Sequence, residues 1–494
     1  MRRATTERFH TIVVGAGSGG LTVAVGLARL GRQVALVEAA EVGGDCANTG
    51  CIPSKTLIEL SRSVARRPPE QRGQAAREAL AETRRRRDAV RAHEEAMLAE
   101  LSGIELVRGR ARLARGERTT PAVLVEGPDG RERQLEAGRV VLATGSRPVV
   151  PDSAGLDAGE SAVDGALTHA TVFDSIAPPA HLAIVGAGPI GCELAFAFAR
   201  LGSRVTLLEA ADRVLPGEEA AASELVRERL EVLGVTVLTD TSARAHDAAA
   251  GTLEASRAVA GAAAEAITIG AVERVLVAAG RRPASQGLGL EAVGVRLDGR
   301  SAVIVDGAYR TTAPGVFAIG DLVGGEHTHV AHAHGRRLVR YLTVPLPLLP
   351  EGEHGRVTFT EPEVGQVGPT LAELRRRWPD PILAVQRVNL ADTDRGLTMG
   401  LQGGFVQLVA LRFSGRLLAA TVVAPNASEI LPLLTAARRR GLSLWRLHRL
   451  EVPYPALSEA VRMAADAFVF ASLPRLLEEL KAYARWRWRR GPGG

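Results

Sequence analysis

The strongest constraint on the fold is a pattern that occurs twice. Thr11–Val14 is a short apolar run, followed by Gly15-Ala16-Gly17-Ser18-Gly19-Gly20, a helical pattern to Leu30, and a run Gln33–Val37 closing on Glu38. Leu182–Val185 leads in the same way into Gly186-Ala187-Gly188-Pro189-Ile190-Gly191, a helical pattern to Leu201, and Arg204–Leu208 closing on Glu209. Gly15 and Gly186 stand as far apart as Glu38 and Glu209, and both helical patterns end in Ala-Arg-Leu-Gly. Strand, G-x-G-x-x-G, helix, strand and acidic residue together describe a dinucleotide-binding βαβ unit. In each copy the first glycine permits the tight turn, the second lets the backbone approach a pyrophosphate, and the third lets the helix pack closely. The helix N-terminus faces the phosphates, and the acidic residue takes the ribose hydroxyls. Two units imply two dinucleotides.

Between the units lies Gly43-Gly44-Asp45-Cys46-Ala47-Asn48-Thr49-Gly50-Cys51-Ile52-Pro53-Ser54-Lys55, which holds two of the three cysteines. A tight loop entering a helix allows an intrasegment disulfide, and the helix dipole lowers the pKa of the thiol at the helix start. In a reducing compartment a close cysteine pair is catalytic or metal-binding rather than a staple, and a reversible dithiol switch is the favoured reading. Cys192, next to Gly191 on a helical pattern, reads as core.

The remaining chain gives domain edges. Ser54 to Leu101 reads as long helix interrupted near Pro68-Pro69, with Arg84–Arg87 on a solvated face. Strand patterns follow at Glu105–Arg108 and Ala122–Glu126. Arg139–Leu142 runs into Ala143-Thr144-Gly145-Ser146-Arg147-Pro148, and Arg274–Val277 into Ala278-Ala279-Gly280-Arg281-Arg282-Pro283, two matched closures. A strand within Thr311–Asp321 delivers Asp321 to a loop, Val344–Pro350 reads as a linker, and Val357 to about Phe470 as a separate α+β domain. The expected fold is α/β, with two Rossmann-like dinucleotide-binding domains and a C-terminal α+β domain. Residues 1–148 and 281–345 form one nucleotide domain, 149–280 the other, 346–470 the C-terminal domain and 471–494 a basic aromatic tail.

Composition narrows the function. No apolar run approaches the ~20 residues of a membrane span, and the glycines after Val14 argue against a signal peptide, so a cytoplasmic protein is expected. The net charge is +6, but all except two of the 61 Lys and Arg are arginine, which reads as composition bias rather than a nucleic-acid surface. The tail bearing Trp486 and Trp488 offers an anionic membrane or a partner something to touch; a frayed, solvated end is the simpler reading. His329 and His332 share a helical face that a metal can use, but capping or solvated histidines are favoured for His327 to His334, and no metal site is assigned.

Taken together, these residues resemble the flavin-dependent pyridine nucleotide–disulfide oxidoreductases, the class I group of dihydrolipoamide dehydrogenase, glutathione reductase and mercuric reductase. The resemblance runs from Thr11 to about Phe470. It implies FAD on the first unit, with Gly15, Gly17, Gly20, Glu38, Thr144, Gly145 and Asp321 as contacts. NAD(P)H is implied on the second, through Gly186, Gly188, Gly191, Glu209 and Gly280. It implies that Cys46 is the interchange thiol facing substrate, that Cys51 lies against the flavin, and that Lys55 and Glu193 pair beside the flavin's reactive edge. The C-terminal domain, with Phe359-Thr360-Glu361-Pro362-Glu363-Val364, resembles the family's dimerisation domain, which implies a homodimer whose active sites use both chains.

Two departures shape the expected function. The family's His-Pro-Thr segment, with a Glu five residues after the His, aligns here with Tyr454-Pro455-Ala456-Leu457-Ser458-Glu459. Tyr454 therefore stands where a proton-transfer base is expected, with Glu459 retained, and a phenol of pKa ~10 does not shuttle protons at neutrality as imidazole does. The Gly-Gly-Asp-Cys and Pro-Tyr-Pro runs point to the mercuric-reductase-like branch, yet no cysteine follows Cys192. Glu209 favours NADH over NADPH by repelling a 2′-phosphate, although Arg213 is near in sequence. The expected function is electron transfer from NADH through FAD and Cys51/Cys46 to a small disulfide or soft metal ion. The alternatives are a flavin diaphorase or quinone reductase that bypasses the disulfide, and a non-enzymatic flavoprotein subunit.

Overall fold

The computed structural model describes residues 6–116, 121–151, 155–156, 166–325, 327–344 and 352–490, the backbone alone at 6, 380, 475–477 and 479–490. The chain divides into two compact units, Met1–Asp212 with Leu233–Glu351, and Arg213–Val232 with Gly352–Gly494.

The larger unit is built on two parallel five-stranded sheets. The first runs Val316–Ala318, Val140–Leu142, Thr11–Val14, Val34–Glu38, Ile104–Arg108. The second runs Leu167–Thr168, Arg274–Val277, His181–Val185, Arg204–Leu208, Thr236–Leu238. Helices cover such sheets on both faces, so their central strands read as unbroken apolar runs, and all four residues of Thr11–Val14 are buried. The crossover helices are Ser18–Arg29 and Pro189–Arg200. Val23, Ala24 and Leu27 of the first pack in one cluster with Leu338 and Leu342 of helix Thr328–Thr343. The broken long helix is Cys51–Ala65 followed by Pro69–Glu100.

Three features were not visible in local sequence. Thr6–Phe9, Glu132–Ala137, Pro121–Glu126 and Arg110–Arg115 form a four-stranded sheet, in which Thr6–Phe9 lies parallel to a strand far along the chain. Thr241–Asp247, Thr252–Arg257 and Glu265–Ile269 form an antiparallel meander. The two matched closures pair with each other: Ser146–Pro148 lies antiparallel to Arg281–Pro283.

In the other unit five antiparallel strands run Arg356–Thr358, Glu363–Val367, Leu417–Ala424, Phe405–Leu411, Leu383–Asn389. Helix Ala427–Arg439 and the start of helix Glu459–Arg490 bury Leu434, Val461, Ala465 and Phe468 in one core with that sheet. Residues 213–232 carry helix Ala220–Val232, and Glu218 of this segment accepts from Arg356 Nε at 2.7 Å. The expected frayed tail is corrected: the backbone stays helical to Arg490, through a run rich in Leu, Ala, Glu and Arg that favours helix. The side chains of Trp486 and Trp488 and residues 491–494 lie outside the described residues. Among the described residues no helix is long and apolar enough to cross a membrane.

Candidate active site

The two glycine turns test whether dinucleotides fit. A Cβ on Gly20 would stand 1.8 Å from Gly15 O, and one on Gly191 1.9 Å from Gly186 O, so the protein's own packing excludes a side chain at the third position. At the second position it does not. A Cβ on Gly188 meets nothing within 4 Å, and one on Gly17 meets only Gly44 Cα at 3.7 Å. A glycine there leaves open the space through which a pyrophosphate approaches backbone N–H groups at a helix start. The acidic residues are placed alike. Glu38 accepts from Ala16 N (2.6 Å) and Ala40 N (2.8 Å), and Glu209 from Ala187 N (2.7 Å) and Ala211 N (2.9 Å). Both turns fit a dinucleotide.

The first turn also carries the cysteine segment. Gly43 N donates to Ala16 O at 2.9 Å, Gly17 and Gly43 form an isolated bridge, and Asn48 Nδ2 ties the segment to Val42 O and Gly44 O. Asn48 Oδ1 and Glu94 Oε2 are buried acceptors with no hydrogen-bond partner among the described residues, and Glu94 lies against Gly43. Burial raises the Glu94 pKa. Such orphaned acceptors suit ligand hydroxyls.

Cys46 and Cys51 are present as thiols. Cys46 lies on the short helix Gly44–Asn48, and Cys51 is the first residue of Cys51–Ala65. Cys51 Sγ is 3.2 Å from Thr328 Oγ1, and Cys51, Thr328 and Ser18 are the groups that act on the Cys46 sulfur. Ser18, Cys51 and Thr328 each open a helix, so three positive helix ends meet at the sulfurs. The Cys51 pKa is lowered to about 6, first by the hydrogen bond from Cys46 and further by Thr328 and the Lys55 charge, against burial and Glu193. Cys46 is pushed far up, by the bond it donates to Cys51 and by burial. The proton stays on Cys46 and the charge on Cys51. Thiolate on the reduced pair therefore persists above about pH 6 and is lost as pH falls through it. Ultraviolet thiolate absorbance of the reduced chain is expected to rise around that pH, with the step missing in Cys51→Ser. A first rise only near the ordinary thiol pKa of about 8.5 would contradict the geometry.

One helical turn after Cys51, Lys55 Nζ contacts Glu193 Oε2 at 2.8 Å. Glu193 is buried on the helix that follows the second glycine turn, so the pair ties the dithiol helix to the second nucleotide unit. Thr144 Oγ1 donates to Ala284 O (3.0 Å), Gly145 O accepts from Ala284 N (3.0 Å) and Gly280 O from Val149 N (2.9 Å). Asp321, on the 3-10 turn Gly320–Val323, accepts from Ser146 Oγ at 2.6 Å. Sequence reasoning missed Ser18, and it missed a cluster in which Arg281 joins Asp45, His169 and Ser146.

In the other unit, Tyr454 is 70% exposed and donates to Asp394 Oδ2 at 2.8 Å, a bond that raises its pKa. The structure does not hydrogen-bond Tyr454 to Glu459. Glu459 instead accepts from Arg462 Nη2 (2.7 Å), Arg462 Nη1 donates to Asp466 (2.7 Å), and His448 Nδ1 meets Asp466 at 2.6 Å. His327 occupies the N-cap position of helix Thr328–Thr343 without a side-chain capping bond and stacks on His329, His332 meets Thr22 Oγ1 at 2.8 Å, and His334 accepts from Gly320 N at 3.2 Å. Among the described residues no group of three His, Cys, Asp or Glu is arranged to hold a metal ion.

Known proteins share this arrangement. The model for pyridine nucleotide-disulphide oxidoreductases matches residues 9–335, and the model for their dimerisation domain residues 355–465. A mercuric reductase of Streptomyces lividans is 32% identical over 93% of this chain and 96% of its own. Dihydrolipoyl dehydrogenase 3 of Haloarcula marismortui is 32% identical over the same shares. The crystal structure of LpdA from Mycobacterium tuberculosis superposes with a TM-score of 0.81 at 26% identity, over 93% of this chain and 99% of that one. The fold is also that of the Cu(II) complex of the HOCl-induced flavoprotein disulfide reductase RclA from Escherichia coli, with a TM-score of 0.82 at 24% identity over 93% and 99%. With twin glycine turns and a dithiol packed on the first, the chain belongs to the FAD-dependent pyridine nucleotide-disulphide oxidoreductases, enzymes that use FAD and NAD(P)H.

Proposed function

We propose that this enzyme passes electron pairs from NADH through Cys51 and Cys46 to a small disulfide or a soft metal ion. The observation that carries the reading is the dithiol packed on the first glycine turn, with Cys51 opening its helix 3.2 Å from Thr328 Oγ1 and one turn before the Lys55–Glu193 pair. FAD, when bound, supplies the ring that accepts hydride from the nicotinamide and returns an electron pair to the protein disulfide. The protein's own part is thiol chemistry. Cys46, once ionised, attacks one sulfur of the oxidised substrate, forming a mixed disulfide and expelling the other sulfur as a thiolate. Cys51 thiolate then attacks Cys46, which restores the Cys46–Cys51 disulfide and expels the second substrate thiolate. Two electrons leave the dithiol, and its own proton and solvent protons complete the two product thiols. Three helix ends and Lys55 hold the negative charge at Cys51 between turns. A metal-ion oxidant would take the same two electrons from the sulfurs as they close to the disulfide, one ion per pair for Hg(II) and two ions per pair for Cu(II), each reduced to Cu(I). The relatives named for mercury reduction and for a Cu(II) complex favour keeping metal ions beside disulfides as candidate oxidants.

The carboxylate of Glu209, fixed by two backbone N–H groups, supports NADH as the preferred nucleotide. The FAD domain takes residues 1–148 and 281–345, the NAD domain 149–280 and the dimerisation domain 346–470; the antiparallel pairing of Ser146–Pro148 with Arg281–Pro283 supports the edges of the NAD domain, whose segment Arg213–Val232 groups with the C-terminal unit. The working form is a cytoplasmic homodimer in which the partner chain presents Tyr454 to Cys46, as the dimerisation-domain match supports. The Tyr454–Asp394 bond gives that phenol an orienting rather than a proton-shuttling role. Anaerobic NADH followed by iodoacetamide and peptide mass analysis tests the reading. NADH is expected to make both Cys46 and Cys51 alkylatable; flavin bleaching without newly alkylated cysteine would support the quinone-reductase alternative.

A further inference from the structure

We propose that Arg281 is a positioning residue for the dithiol, whose guanidinium cancels the charge of Asp45 so that the neighbouring Cys46 can ionise. The inference rests on Cys46 being the substrate-facing thiol. It begins from an electrostatic misfit. Asp45 immediately precedes Cys46 and sits in the first turn of Gly44–Asn48, beside Gly44, which lies against Gly17 of the phosphate turn. A bare carboxylate there opposes both a thiolate on Cys46 and an anionic ligand at Gly17, since like charges disfavour each other's ionised forms.

Arg281 answers that charge directly. Its Nη2 donates to Asp45 Oδ2, its Nη1 to His169 Nε2 at 2.5 Å, and its Nε to Ser146 Oγ at 2.9 Å. Asp321 Oδ2 stands 3.8 Å from Nη2. The guanidinium is thus held by groups from four separate segments, with His169 5% exposed behind it. Burial works against the Asp45 charge, yet the neighbouring His169 and the charge and hydrogen bond of Arg281 keep its pKa at about 2, so the carboxylate is ionised under all working conditions. The other groups that act on the two sulfurs are Ser18, Thr328, Lys55 and Glu193, whereas Asp45 is joined to Cys46 as its chain neighbour on Gly44–Asn48. Asp45 is the local liability and Arg281 its counter-ion.

A charge role and a strut role predict different rescues. In the full-length, FAD-loaded chain carrying Cys51→Ser, Cys46 is the thiol of the pair that remains, and Cys192 is fully buried. The second-order rate of iodoacetamide alkylation, read on the Cys46 peptide at pH 8, is expected to fall ~10-fold with Arg281→Met. Adding Asp45→Asn to that chain is expected to bring the rate back within ~2-fold of the parent, because the charge that needed cancelling is gone. Asp45→Asn without the arginine change keeps the test open if Arg281→Met fails to fold; it is expected to alkylate at least as fast as the parent. An unchanged rate in Arg281→Met, no rescue in the combined variant, or slowing by Asp45→Asn each overturns the proposal. None of these results decides whether Cys46 faces substrate, which turnover of Cys46→Ser decides separately.

Discussion

Lys55→Met is expected to lower the stability of the larger unit by about 2 kcal/mol, seen as a drop of about 3 °C in its thermal transition. Lys55 Nζ meets Glu193 Oε2 at 2.8 Å, with the glutamate side chain 7% and the lysine side chain 33% exposed. Removing the ammonium strands a buried carboxylate, which costs more than the pair itself contributes. The one-third exposure of Lys55 keeps the effect below the ~3–5 kcal/mol of a fully buried pair. Lys55→Met combined with Glu193→Leu is expected to recover most of the loss, because neither charge is then left unpaired. The single change also removes a charge that lowers the Cys51 pKa, so thiolate on the reduced pair is expected to need a higher pH. A thermal transition that does not move, or a double variant less stable than the single one, would mean that the pair does not join the dithiol helix to the second nucleotide unit.

What was legible in the sequence was what is encoded locally. A glycine turn between an apolar strand and a helix needs no distant partner to be recognised, and both turns have the expected strand, helix and closing carboxylate. The cysteine spacing and the break at Pro68-Pro69 are local in the same sense. The four-stranded sheet was hidden because Thr6–Phe9 finds its partner in Glu132–Ala137 and neither strand is strongly apolar. The closures at 143–148 and 278–283 mark domain edges in the sequence, but their mutual pairing depends on the whole second nucleotide unit returning to its start.

The candidate site divides along the same line. Cys46, Cys51, Lys55 and the glycines carry their chemistry in their spacing. Thr328 and Ser18 acquire theirs only because their helices begin at the same point as Cys51. Arg281 belonged to a recognised closure, but nothing local connects it with Asp45 or His169. Tyr454 was legible as a departure, whereas its partner Asp394 was not, since the two are joined by the packing of the C-terminal unit.

The central claim is that electrons leave through the dithiol, and Cys46→Ser tests it most directly. Cys46 forms the mixed bond with the oxidant in the proposed cycle, while Cys51, Lys55 and both nucleotide turns remain intact in the variant. Turnover with NADH is measured against lipoamide, glutathione disulfide, Hg(II), Cu(II) and a quinone, for the parent and the variant side by side. The parent is expected to turn over at least one disulfide or soft metal ion, and Cys46→Ser to lose that activity by ~10³-fold or more while quinone reduction stays within ~3-fold. If the parent turns over quinones alone and Cys46→Ser matches it on every oxidant, the electrons do not leave through Cys46 and the account is wrong.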